Sequence, residues 1–314
     1  DVTDYYGINP QYGTMADFRR FLAEAHRRGI RVVTDLVLNH SSSQHPWFEA
    51  ALRGDPAYRD WYIFVPPDEV PTTRGPWNQQ VWQEKNGQHY YGIFWSGMPD
   101  LNYRTPAVTA EAYRIAEFWL GDVGVDGFRL DAVRHLIEDG DVMNDTPETV
   151  AWLQGFRSHV QRVAPGALIV GEVWTNTETV SDYLRAGALD LAFEFDLAGA
   201  ILDAAKSGRR DKLAYTIENV AASYPEGRYA TMITNHDQNR VASELREDPR
   251  RLRLAATLLL TAPGVPFLYY GEEIGQIGAK PDEMIRNPMP WTGGPNGGFT
   301  AAAAPWEPLQ PGHE

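Results

Sequence analysis

Short runs of β-branched and aromatic residues alternate along this chain with amphipathic segments of helical period. That alternation restricts the fold to a parallel sheet covered by helices. Six runs read as strands, at residues 30–38, 125–130, 167–170, 189–195, 229–234 and 265–270. The helices between them carry start and stop signals. Thr14 caps a helix with the apolar face Phe18, Leu22 and Ala25, closed by Gly29. Thr105-Pro106 and Thr146-Pro147 place a cap and a first-turn proline before Ile115/Trp119 and Val150/Leu153. Two architectures satisfy this pattern, the closed eight-stranded barrel and the open doubly wound sheet. No Gly-x-Gly-x-x-Gly turn follows a strand, which lowers the second. Asn39-His40, Asp131, Glu172 and His236-Asp237 each lie at a strand end, where barrel active sites gather. The expected fold class is therefore α/β, a TIM (β/α)8 barrel.

Residues 41–97 form an insertion far longer than the ordinary strand-to-helix loop of about 2–6 residues. We read it as an inserted domain B, with residues 1–40 and 98–314 as the barrel domain A. The insertion holds five of the ten tryptophans, Trp47, Trp61, Trp77, Trp82 and Trp95. Most are expected in its own small core, with one or two left as a stacking wall for a flat ligand face such as a sugar ring. Residues 276–314, with 7 Pro and 6 Gly, read as a long loop or tail.

The net charge of −14 argues against nucleic acid or anionic membrane as the main partner. The most apolar stretch, residues 255–270, is interrupted by Pro263, Gly264 and Pro266 and is too short to span a bilayer. With no cysteine, thiolate nucleophiles, disulfides and cysteine-held metals drop out, but the compartment stays open between secreted and cytoplasmic. The chain starts at Asp1 without an initiator Met or an apolar leader, as a processed protein or a fragment would.

Arg129 and Asp131 are two apart in a strand and so share a face. The arginine favours an ionised Asp131, suited to act as a nucleophile. Glu172 follows an apolar run, and partial burial suits it to hold a proton as a general acid. With Asp237 as a third carboxylate and His40 and His236 as donors, the set suits glycoside cleavage. A divalent-metal hydrolase fits less well, because His-x-x-x-His spacing is missing. Any one of these carboxylates alone would more often be a helix cap or a surface charge. Their joint occurrence with Arg129, His40 and His236 weakens that reading.

The residues carrying this chemistry lie in motifs that resemble the α-amylase family, glycoside hydrolase family 13. These are Asp-Leu-Val-Leu-Asn-His at 35–40, Met-Pro-Asp-Leu-Asn at 98–102, Gly-Phe-Arg-Leu-Asp-Ala-Val-Arg-His at 127–135, Gly-Glu-Val-Trp at 171–174 and Thr-Asn-His-Asp at 234–237. Gly-Val-Pro at 264–266, leading into Tyr-Gly-Glu-Glu at 270–273, adds a sixth in the same order. The resemblance implies that Asp131 is the nucleophile, Glu172 the general acid/base and Asp237 the carboxylate that holds and distorts the sugar. Arg129, His40 and His236 would bind the same sugar, and Asp35 would be mainly structural. The implied reaction is retaining cleavage of an α-glucosidic bond in an α-glucan or oligosaccharide, with the carboxyl groups of Asp131 and Glu172 about 5–5.5 Å apart.

Ala132 after the nucleophile resembles members acting on α-1,4 bonds. Residues 98–102, 280–283 and 286–291 resemble the group between the oligo-1,6-glucosidase and neopullulanase subfamilies, which contains α-amylases. α-Amylase is the first expectation. Asp1 and Arg286 match residues that pin the non-reducing end in exo-acting α-glucosidases, so exo action or trehalose/sucrose-type transglycosylation is the alternative. A non-catalytic, transporter-associated relative is a third reading, disfavoured because all three carboxylates are kept. Asn39, with the carbonyl of His135, matches a structural calcium position, and no other cofactor is implied.

By the same resemblance the six runs correspond to barrel strands three to eight, which makes the barrel incomplete. Strands one and two would precede Asp1, and the last helix and a β-sandwich domain would follow residue 314. An open six-stranded arc exposes two edges, so the 314-residue chain by itself is expected to be unstable or to aggregate. A cooperative thermal transition with full activity from this chain alone would contradict that expectation.

Overall fold

The computed structural model describes residues 2–225 and 227–310. They form two compact units, one of residues 1–173 and 182–192, the other of 174–181 and 193–314.

The first unit begins with helix α1 (Met15–Arg27), which starts at a complete capping box. The Asp17 amide donates to the Thr14 hydroxyl oxygen, and the Thr14 amide donates to the Asp17 carboxylate. Leu22 and Ala25 are the buried residues of its inner face. Strand β1 (Val33–Leu36) follows, then α2 (Pro46–Leu52), β2 (Phe64–Val65), β3 (Trp82–Lys85), β4 (Gln88–Tyr91), α3 (Pro106–Glu117), β5 (Gly127–Leu130), α4 (Pro147–Val163), β6 (Leu168–Gly171), α5 (Thr177–Arg185), whose residues 182–185 belong to this unit, and β7 (Leu191–Ala192). Strands β1, β5, β6 and β7 make one all-parallel sheet in that order. Phe128, Leu130, Ile169 and Val170 are buried on both of its faces, as parallel strands covered by helices require. Gly127 has no substitute here, because a Cβ would sit 2.1 Å from the Leu168 carbonyl oxygen across the β5–β6 ladder.

Strands β2, β4 and β3 form a separate antiparallel sheet inside residues 41–97. Val81, Tyr91 and Ile93 are buried there with Met143, and Phe48 packs edge-on against Tyr62 and Tyr90. The five tryptophans divide by environment. Trp61 is buried, Trp47 and Trp82 are half-buried, and Trp77 and Trp95 are exposed.

The second unit carries α6 (Phe195–Ser207), α7 (Asp211–Ser223), β8 (Ala230–Thr231), α8 (Val241–Glu244), α9 (Pro249–Thr261), β9 (Val265–Pro266) and α10 (Asp282–Ile285). Helix α6 packs against α7 and α9, while β8 and β9 pair in parallel, with Phe193 bridging to Ala230. Residues 276–310 are more ordered than their Pro/Gly content implies. They contain α10 and bury Ile285, Asn287 and Met289, and Tyr269 and Tyr270 donate to the carbonyls of Ile285 and Asn287. Among the described residues no helix is long and apolar enough to cross a membrane.

Candidate active site

Strand register explains how the first unit gathers its charges. Arg129 on β5 lies opposite Asp35 on β1 and Val170 on β6, and Leu130 lies opposite Gly171. Asp131 and Glu172 are each the first residue beyond that last pair, at the C-terminal ends of adjacent strands. The Glu172 amide donates to the Leu130 carbonyl at 2.9 Å and extends the ladder to the site itself. Ala132 then turns the chain with φ 48° and ψ 32°, a left-handed conformation that costs an alanine energy. The turn aims the Ala132 amide at Glu172 Oε2, 3.3 Å away.

Arg129 is the centre of this cluster. Its Nη1 donates to both carboxylate oxygens of Asp35 at 3.0 Å and to Asp131, and its Nη2 donates to Glu172 Oε2 at 2.7 Å. Burial alone would lower the guanidinium's pKa. The charges of Glu172, Asp35 and Asp131 outweigh it and hold the pKa above its ordinary value. Glu172 is 8% exposed. The guanidinium therefore holds two carboxyl groups from neighbouring strands on its two terminal nitrogens, in a site largely withdrawn from water.

His40 is buried, and burial lowers its imidazole to about 4, with the Asp131 charge pulling the other way. At neutral pH the ring is uncharged and serves as a hydrogen-bonding group. Its position is set by the β-bridge between residues 40 and 100 and by an edge-on contact with the Phe94 ring at 5.4 Å.

The second unit holds His236, Asp237 and Arg286. Arg286 Nη2 donates to Asp237 at 2.7 Å and to Asp282 at 3.0 Å, and its Nε donates to the His236 carbonyl at 2.9 Å. His236 Nε2 lies 3.3 Å from Asp237. Asp1, expected among the binding residues, lies outside the described residues. The loop bearing Asp237 is tethered by the Thr234 hydroxyl, which donates to Glu272 at 2.7 Å.

Burial raises Glu272 to about 7, against the lowering pull of Thr234. A carboxyl whose folded pKa lies above its unfolded value stabilises the fold fully below the unfolded pKa. That stability is lost as pH rises through the folded pKa. Between about pH 4.5 and 7 the expected loss is about 3 kcal/mol. Glu272→Gln, which keeps an acceptor for Thr234, should flatten the fall in thermal midpoint over that range. An unchanged slope would refute it.

Comparison with known proteins assigns the family. The family model described as "Alpha amylase, catalytic domain" matches residues 1–314. This chain belongs to the α-amylase family. "Alpha-amylase 3" of Dictyoglomus thermophilum is 39% identical over 297 residues, covering 93% of this chain and 56% of that protein. "Trehalose synthase/amylase TreS" of Mycobacterium tuberculosis is 33% identical, covering 96% of this chain and 58% of that protein. The crystal structure of an α-amylase from H. orenii superimposes with a TM-score of 0.87 at 42% identity, over 98% of this chain and 62% of that one. The chain thus spans somewhat more than half the length of the relatives it matches. The family's fold is the TIM barrel, and the parallel sheets and helices among the described residues are consistent with an incomplete barrel.

The resemblance implies a structural calcium at Asn39. Asn39 is 1% exposed, and its Oδ1 is buried without a hydrogen-bond partner. Its Nδ2 donates to Asp100 Oδ2 at 3.2 Å, and the Ile93 amide donates to Asp100 Oδ1 at 3.1 Å. Asp100 is itself buried, and that burial raises its pKa well above the ordinary carboxylate range, with the Glu138 charge adding to it. No group of three or more His, Cys, Asp or Glu able to hold a metal occurs among the described residues. Asn39 Oδ1, with the backbone carbonyl of His135, would hold such an ion, and an amide oxygen is a hard ligand suited to Ca2+.

Proposed function

We propose that the protein is a retaining glycoside hydrolase of α-amylase type that cleaves α-1,4-glucosidic bonds in starch or maltooligosaccharides. The observation that carries this is the Arg129 fork, which ties Asp131 and Glu172 to one guanidinium. Asp131, held in place by that pairing, attacks the anomeric carbon. The bond to the leaving oxygen breaks as Glu172 delivers a proton to it, and a glycosyl ester on Asp131 results. Glu172, now a carboxylate, takes a proton from water, which attacks the same carbon and frees Asp131.

By the resemblance, Asp237 is assigned to hold and distort a sugar ring, and His40 and His236 are assigned as hydrogen-bonding residues for substrate. Residues 41–97 are assigned as domain B and residues 1–40 with 98–314 as domain A. The partner is a neutral α-glucan, in keeping with a site built from carboxylates around one arginine.

A second reading, exo-acting glucosidase or transglycosylase, is favoured by the seat of Arg286 on Asp237 and by the 33% identity to a trehalose synthase/amylase. The exo-acting glucosidase keeps water in the second step, whereas in the transglycosylase a sugar hydroxyl replaces it. Incubation of the intact protein with starch, maltooligosaccharides, maltose, sucrose and trehalose separates the readings. Mid-chain cleavage of starch supports the first. Release of single glucose units, or conversion of maltose to trehalose, supports the second. Turnover of no α-glucoside would overturn both.

A further inference from the structure

Trp77 leaves 60% of its surface in water, although it sits in an insertion whose other aromatic rings are mostly packed. An exposed indole is unremarkable when it is loose, but this one is mounted. Residues 75–79 form a tight turn in which the Gly75 amide donates to the Gln79 carbonyl at 2.9 Å and the Asn78 amide donates to the Gly75 carbonyl at 2.8 Å. Asn78 takes the left-handed conformation the turn needs, with φ 61°. The Gln79 side chain locks the turn from inside. Its Oε1 accepts from the Trp77 amide at 2.8 Å, and its Nε2 donates to the Ile93 carbonyl at 2.8 Å. A Cβ at Gly75 would lie 2.2 Å from that Nε2, so the glycine makes room for the lock. Ile93 is fully buried and precedes Phe94, so the turn is fastened to the segment that carries the next aromatic ring.

The rings form a file that leads to the candidate active site. Trp77 stacks on Phe94 at 5.7 Å with an interplanar angle of 26°, and Phe94 stands edge-on to His40 at 5.4 Å. His40, at the end of that file, is one of the residues assigned to sugar binding. One face of the indole is thus backed by Phe94, and most of the ring remains open to solvent. A flat, rigidly backed aromatic face that leads to that residue suits the apolar face of a pyranose ring.

We propose that Trp77 is a stacking platform for a glucosyl unit away from the bond being cut, and that it sets the protein's preference for longer oligosaccharides. This rests on the α-glucan reading above. The role is positional, since Trp77 touches substrate without taking part in bond breaking. Its loss weakens binding of chains long enough to reach it and leaves shorter chains unable to report the difference.

The test compares maltotriose with maltoheptaose in the intact protein and in Trp77→Ala, Trp77→Leu and Trp77→Phe. The ratio of kcat/KM for maltoheptaose over maltotriose should fall about three- to tenfold in Trp77→Ala, mostly through KM. Trp77→Leu keeps packing against Phe94 without a flat face, and it should show the same fall even if the alanine variant folds poorly. Trp77→Phe should recover most of the ratio. Equal losses on both substrates, or an unmoved ratio in a protein that turns over maltoheptaose, would overturn the platform alone. Absence of turnover on every α-glucan by the unsubstituted protein would overturn the reading it rests on.

Discussion

Asp131→Asn is expected to lower kcat on maltooligosaccharides by about 10⁴-fold or more, the size of loss that follows removal of a nucleophile acting within a coupled set. The amide keeps the side chain's volume and one oxygen acceptor for Arg129, so folding should change little and the loss should fall on chemistry. The counterpart, Glu172→Gln, separates the two roles. It removes the proton donor but leaves the nucleophile, so its defect should shrink on α-glucosyl fluoride, whose leaving group needs no proton, while that of Asp131→Asn should not. NMR of the first-formed sugar should show the α-anomer. A β-anomer, or carboxyl groups about 9 Å apart in a crystal structure, would remove the covalent intermediate from the scheme. Comparable rescue of both variants by the fluoride would mean the roles are assigned wrongly.

The strand ends were the most legible part of this chain. Asn39, Asp131 and Glu172 lie at or near the ends of apolar runs, β1 and β5 fall inside the runs at 30–38 and 125–130, and β6 overruns the run at 167–170 by one residue. Apart from β6, the ladders are shorter than those runs, down to two residues in β7, β8 and β9. Composition marks what can be buried, whereas pairing stops where the chain turns away, and Pro266 in β9 has no amide to donate. Partnerships across long separations were not legible. Arg129 meets Asp35 across 94 positions and Asn39 meets Asp100 across 61. Only the β1–β5 register and the bridge at residues 40 and 100 create those pairs. The five tryptophans of the insertion look alike in sequence. Trp77 is set apart by the turn at Gly75 to Gln79, whose lock depends on an Ile93 carbonyl 14 residues away.

Arg129→Met tests whether the cluster is held together by its charge. In the native protein the raised guanidinium pKa means that Arg129's contribution is fully present below its ordinary, already strongly basic value. It is lost only as pH rises through the still higher folded value, so this group adds no slope at ordinary pH. Removing it leaves Asp131 and Glu172, with side chains 23% and 10% exposed, without their shared counter-charge. Breaking a buried ion pair by deleting one partner costs about 3–5 kcal/mol.

The penalty has a sign with pH. Like charges repel only while both are ionised, so the penalty is smallest in acid and grows as the pH rises. Thermal unfolding from pH 4 to 8 should therefore show the variant diverging steadily from the parent. Turnover should fall as well, because the fork that holds both carboxyl groups in register is gone. Arg129→Lys restores one charge without the fork that reaches two carboxyl groups, so it should recover stability better than turnover. A methionine variant with a parent-like midpoint at pH 8 and parent-like kcat/KM would show that the strands hold these carboxylates in place without the arginine.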